Sequence, residues 1–161
     1  MNRYDELTRQ DLVSDTENKV KKRSNFVGAP KYIGITKDYT VKLHVRSATK
    51  YTHSYVVSIN LTEYADIADD EDMTVKDKVL LSLAGDLKIG CECPAFLYWG
   101  YKYITTELDV NAIDPESRFP KIRNPKLDGV MCKHCYKAIT KFGSLWSSIA
   151  KDILHENFVE D

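Results

Sequence analysis

All four cysteines of the chain lie in two short stretches, Cys91-Glu92-Cys93 and Cys132-Lys133-His134-Cys135, and the second stretch also holds a histidine. Thiolate sulfur and imidazole nitrogen are the donors a structural zinc ion takes four at a time, in a tetrahedron with Zn–S of about 2.3 Å and Zn–N of about 2.0 Å. Cys91, Cys93, Cys132 and His134 make such a set, sized for one Zn2+. Three other arrangements use the same residues. Cys132 and Cys135 are spaced Cys-X-X-Cys, so Cys135 in place of His134 gives a four-cysteine site. The even count permits two disulfides, although disulfides persist in oxidising compartments and Met1-Asn2-Arg3-Tyr4-Asp5 starts no apolar signal-peptide run. Buried thiols and a satisfied imidazole, with no metal, are the third arrangement.

The elements that must position these groups can be read from their neighbours. Leu87, Ile89, Cys91 and Cys93 alternate with Lys88, Gly90 and Glu92, the period-2 pattern of a strand with one buried face. Both thiols then point to that face. Residues 136–142 read as helix, and inside a helix positions i and i+2 diverge. Cys132 and His134 therefore converge only at a helix start, with Cys132 outside the first regular turn and His134 within it. Gly129, three residues earlier, suits the tight approach to that start. Cys135, Ile139 and Phe142 fall on one side of the helix, which also suits Cys135 as a small buried apolar residue.

Cys-X-Cys, a long gap, then Cys-X-His at the head of a helix resembles the ligand pattern of SWIM-type zinc fingers. Cys91, Cys93, Cys132 and His134 match it position for position, and Cys93-Pro94-Ala95 and Cys132-Lys133-His134 match in their flanks. The resemblance covers residues 85–142 and departs in the 38 residues between Cys93 and Cys132, a longer insertion than many members carry. With that insertion the region is also similar to small SWIM-containing proteins encoded by tailed bacteriophages. The resemblance implies a closed structural zinc site and, in its phage form, a virion component at the head or the head-to-tail region.

The remainder of the chain fits an α+β fold: a small antiparallel sheet packed against helices, stapled by one structural zinc, with an extended N-terminal arm. The 161 residues are 43% hydrophobic and 29% charged, enough to bury a core without help. The division expected is an arm and linker over 1–38 and a SWIM-like zinc-binding domain over 39–161. Residues 1–20 are charge-dense, with Leu7, Leu12, Val13 and Val20 as their aliphatics, and suit a short docked helix or a free arm. The run Lys19, Lys21, Lys22, Arg23 is either a solvated linker or a contact for phosphate or an acidic partner. Gly28, Pro30 and Gly34 make 24–38 an extended connection.

Val41, Leu43 and Val45, then Val57, Ile59 and Leu61, alternate with polar residues as the two strands of a hairpin. With 87–93 they make a three-stranded sheet. His44 and His53 fall on a solvent face and in a loop. The acidic stretch 65–72 lacks the spacing and central glycine of a calcium loop and reads as exposed. Asp72 or Thr74 caps a helix carrying Val75, Val79 and Leu83 on one side, and Gly85 stops it. Past Gly143, Ser144 caps a last helix with an apolar face of Leu145, Trp146, Ile149, Ala150, Ile153 and Leu154. His155, near its end, suits a surface position favoured by the helix dipole.

The insertion is the unusual part. Five aromatics stand in the nine residues 96–104, read as one helix beginning at Pro94. They either wall the metal site or form a contact surface, since Tyr and Trp dominate interface hot spots. Residues 118–126 follow, with Arg118, Lys121, Arg123 and Lys126 interleaved with Phe119 and Ile122. They form either a solvated loop or a contact for a phosphate backbone or an acidic protein surface.

No nucleophile-and-base pair, phosphate-cradling glycine loop or spaced carboxylate pair is legible, and four protein ligands leave a zinc ion no open position. The expected function is therefore non-enzymatic: a structural or interaction protein with protein partners, other virion proteins among them, in a reducing cytoplasm or built into the virion. The alternative is a nucleic-acid-binding zinc finger protein that uses Arg118, Lys121, Arg123 and Lys126. A net charge of −1 gives no global pull towards nucleic acid or an anionic membrane, and no apolar run is long enough to span a membrane.

Overall fold

A computed structural model describes Leu12 and residues 16–50 and 52–161. The fold is α+β, built on four antiparallel strands in the order β1-β2-β3-β4: β1 Lys31–Ile35, β2 Thr40–Arg46, β3 Ser54–Leu61 and β4 Leu87–Cys91. The alternations at 41–45 and 57–61 form the expected hairpin, pairing Val41 with Ile59 and Leu43 with Val57. β4 lies beside β3, Ile89 opposite Ile59 and Cys91 opposite Val57. β1 is one strand more than the alternation revealed. Its register slips between Tyr32 and Gly34, and a bulge of that kind erases the period-2 signal. This strand and the helix α1, Asn18–Ser24, fall inside the stretch read as arm and linker. Leu7 and Val13 lie outside the described residues, whereas Leu12 is part of the core.

Helices cover the sheet. After a single turn α2, Tyr64–Ile67, helix α3, Val75–Ala84, starts at Thr74, whose hydroxyl accepts the Asp77 N–H and so caps it in preference to Asp72. Val79 and Leu83 of α3 are buried. The insertion forms α4, Pro94–Tyr98, and α5, Tyr101–Glu107. The single helix expected there is broken at Gly100, whose φ of 94° takes the chain out of helix geometry. Helix α6, Lys133–Phe142, packs on β2, β3 and β4. From it the chain passes through a 3-10 turn, Gly143–Leu145, into α7, Trp146–Leu154. Ser144 does not cap α7: its hydroxyl donates to the Lys141 carbonyl. Of the expected apolar face of that helix, Ile149 is buried and Leu154 is exposed.

Both outer strands are covered over part of their length. The isolated bridge of Asn111 to Ile89 lies along β4, with Ile89 N–H donating to Val110 at 2.7 Å and Ala112 N–H to Ile89 at 2.9 Å. On the far side, Val159 N–H donates to the Ile35 carbonyl at 2.9 Å. The apolar faces of β2, β3 and β4 and of α6 enclose one core, and the cysteine stretches meet at its edge. No helix among the described residues is long and apolar enough to cross a membrane.

Candidate metal centre

Cys91 ends β4, and the next turn brings Cys93 back to it. Strand pairing stops at Cys91, so Cys93 is not the strand residue the alternation suggested. It is the N-cap of α4, held at φ −68° and ψ 151°, with Pro94 in the first turn. Its Sγ accepts the Phe96 N–H at 3.3 Å, and its own N–H donates to Cys91 Sγ at 3.4 Å. The second stretch repeats the device. Cys132 is the N-cap of α6, and its Sγ accepts the Cys135 N–H at 3.5 Å. His134 lies in the first turn of α6, as the spacing requires. Gly129, with φ 75°, turns the chain into that start, where a Cβ would meet the Glu17 side chain at 3.0 Å.

The donor atoms of Cys91, Cys93, Cys132 and His134 all lie within 4.8 Å of one another, and all four residues are buried. A tetrahedron with Zn–S of about 2.3 Å sets its sulfurs about 3.8 Å apart, so only a slight contraction is needed. This is the one such group among the described residues. It could hold one metal ion, and three thiols with one imidazole are a donor set compatible with zinc. Both ring nitrogens of His134 are buried without a hydrogen-bond partner. Such orphans are costly in a protein interior, and a metal bond relieves one of them. The ring is packed against Tyr55 of β3, with centroids 4.9 Å apart.

Cys135 is buried near Cys91 and Cys132 but stands outside the group of four. All four cysteines are free thiols, not disulfides. Burial pushes the Cys91 and Cys135 thiols well up, and a hydrogen bond to Cys132 does the same for Cys93. Burial also acts upward on Cys132, but hydrogen bonding with the neighbouring thiols of Cys135, Cys91 and Cys93 outweighs it and brings that thiol well down. Of the four thiols, Cys132 is thus the one whose neighbours favour the thiolate. A divalent cation changes the balance for every ligand, because a coordinating thiol deprotonates outright. Each of the three thiolates would keep one backbone N–H bond, and two of them sit where helix starts favour negative charge.

Of the insertion's aromatics, Phe96 and Tyr101 are buried in the core beside Ile104, while Tyr98 and Trp99 are exposed. Of the basic residues in 118–126, Arg118 makes a two-pronged pair with Glu116 at 2.9 and 2.7 Å. The guanidinium of Arg123 lies 5.6 Å from the Trp99 ring centroid. Lys121 and Lys126 are exposed and make no ion pair among the described residues. His44, His53 and His155 are exposed and belong to no donor group among the described residues. Composition shows no concentration of charge, yet a lysine-lined groove forms between α1 and α6. The run at 19–23 was half of its signal, and the other half stands more than a hundred residues away.

No protein-family model, no curated protein and no solved structure matches this chain.

Proposed function

We propose that the chain is a non-enzymatic structural and interaction protein whose Cys91, Cys93, Cys132 and His134 hold one structural zinc in the SWIM manner. The observation that carries this reading is His134, buried with two unpartnered nitrogens beside three buried thiols. With four protein ligands the shell is complete, which leaves no place for a substrate or an activated water. What remains is mechanical. An ion held there ties the end of β4 to the starts of α4 and α6, and so fixes both ends of the insertion. In zinc-finger peptides such binding contributes an apparent 10 to 16 kcal/mol or so at neutral pH.

The fixed insertion presents Tyr98, Trp99, Phe119 and Ile122 to solvent, residue types suited to a protein partner. The likeness of residues 85–142 to small phage SWIM proteins makes a virion component, at the head or head-to-tail region, the concrete form of this reading. Free thiols and a thiolate-bound metal fit assembly in a reducing cytoplasm.

Elemental analysis of the purified protein tests the site. One zinc per chain is expected, lost with His134→Ala and kept with Cys135→Ser. Loss with Cys135→Ser but not with His134→Ala would move the fourth ligand to Cys135, and freshly reduced wild type without zinc would remove the proposal's basis. Mass spectrometry of particles carrying the tagged protein tests the assembly role, and a protein found only free in the cytosol would count against it.

A further inference from the structure

Helix α1 lies along α6, and between them opens a groove of about 450 Å3 lined by Lys21, Lys22, Asn25, Tyr136, Lys137 and Lys141. Two lysines stand on each wall. Among the described residues no acidic side chain lines the groove and none of the four lysines makes an ion pair. Lys137 and Lys141 are four apart on α6, a like-charge pair that weakens a helix. A chain whose formal net charge is −1 has nonetheless gathered four lysines across one cleft. The last turns of α1 and α6 favour cations, but that preference acts on each helix separately and does not make the two sets face each other.

We propose that this groove binds the phosphodiester backbone of single-stranded nucleic acid without regard to base sequence. Lysines on both walls suit a chain of phosphates running between them, and their ammonium groups act as point charges that carry no base readout. A single strand leaves its bases free to stack beside the phosphates, which a duplex does not. Tyr136 offers an aromatic ring within the groove, and Phe26, one residue past Asn25, is 78% exposed. Such rings supply the base stacking that accompanies backbone contacts in single-strand binders. None of residues 118–126 lines this groove, and Arg118 and Arg123 are already engaged. The groove also stands independently of the metal reading, since none of its residues is a candidate ligand.

Fluorescence anisotropy of a labelled oligothymidylate strand, titrated from about 50 to about 200 mM salt, tests this on the intact protein. Four phosphate contacts give a slope of log affinity on log salt near about −2.8, a loss of about 50-fold over that range. Lys137→Gln/Lys141→Gln and Lys21→Gln/Lys22→Gln should each weaken binding about 25-fold near 100 mM salt and flatten the slope by about 1.4. Lys121→Gln/Lys126→Gln should leave both unchanged. Zinc content and circular dichroism equal to wild type in every variant show that the fold and metal site are intact. Absence of wild-type binding at the lowest salt overturns the proposal. So does loss confined to the 121/126 variant, or equal affinity for polyglutamate or phosphatidylglycerol vesicles.

Discussion

Gly90 stands between Ile89 and the candidate ligand Cys91, and an added Cβ there would lie 2.6 Å from Ile113 Cγ2 and 3.0 Å from Ile113 Cγ1. Such separations lie far inside van der Waals contact. The obstruction is not the tip of a flexible chain, since a β-branched residue is stiff at χ1. Ile113 is also held in place, because its N–H donates to Asn111 Oδ1 at 2.9 Å and Asn111 bridges to Ile89. Gly90→Ala should therefore cost about 1 to 3 kcal/mol, the range for overpacking, or about 3 to 9 °C in Tm for a chain of this size. In an Ile113→Ala background both γ carbons are gone and only the Cβ of residue 113 remains, 3.2 Å away, a contact that a shift of a few tenths of an ångström relieves. Gly90 has no positive φ, so alanine there should then be neutral, or stabilising by up to about 1 kcal/mol through lost unfolded-state entropy. Urea unfolding of the four proteins in a double-mutant cycle reads this change of sign, with zinc content followed in parallel. Additive losses would refute the argument, since they would mean that Ile113 is not what Gly90 makes room for.

Chelation should raise hydrogen exchange at the amides of Phe96 and Cys135, which donate to ligand sulfurs, while the β2–β3 ladder stays protected; uniform loss of protection would show that the metal holds the whole fold. Zinc retention, followed with a chromogenic chelator, should fall as pH falls. The ligands bind deprotonated, so the stabilisation is present above their metal-free titration range and is lost as acid protonates them; retention that is flat into acid would contradict thiolate ligation. Hydrogen bonds from Arg118 hold the Glu116 carboxyl down at about 2 from an ordinary 4.5, so that pair's contribution is present above pH 4.5 or so and fades towards pH 2. Glu116→Gln should remove that part of the acid dependence, and an unchanged acid profile would count against the pair. Cys135→Ser should cost about 1 to 3 kcal/mol through a poorly satisfied buried hydroxyl; a loss near zero would place Cys135 in a wetter site than the structure gives it.

The centre was legible because its geometry is local. Alternation carried Cys91 to the core face, and the clash of i and i+2 on a helix forced Cys132 to the cap, where the structure has it. What escaped the sequence depends on contacts distant in the chain. The bulge in β1 hid a strand whose pairing comes from β2. Gly100 was visible, but not that Pro120, 2.8 Å from its missing Cβ, packs over the break in the helix. Trp146 looked like core and is only partly buried, with the Lys76 ammonium 5.0 Å from its ring centroid. Lys21 and Lys141 could be seen singly, but only helix packing brings them to one cleft.

The segments that lie along β1 and β4 bear on how any partner can approach. Recognition by strand addition, in which an extended peptide completes a sheet through main-chain bonds, requires an open edge. Here the Ile35 carbonyl is taken by Val159, and both backbone groups of Ile89 are taken by residues 110–112. A peptide adding beside β4, or at the Ile35 end of β1, would first have to displace one of those segments. A protein partner of the kind proposed would therefore be met through side chains on the helices and the insertion, where sequence change would alter specificity without disturbing the sheet beneath.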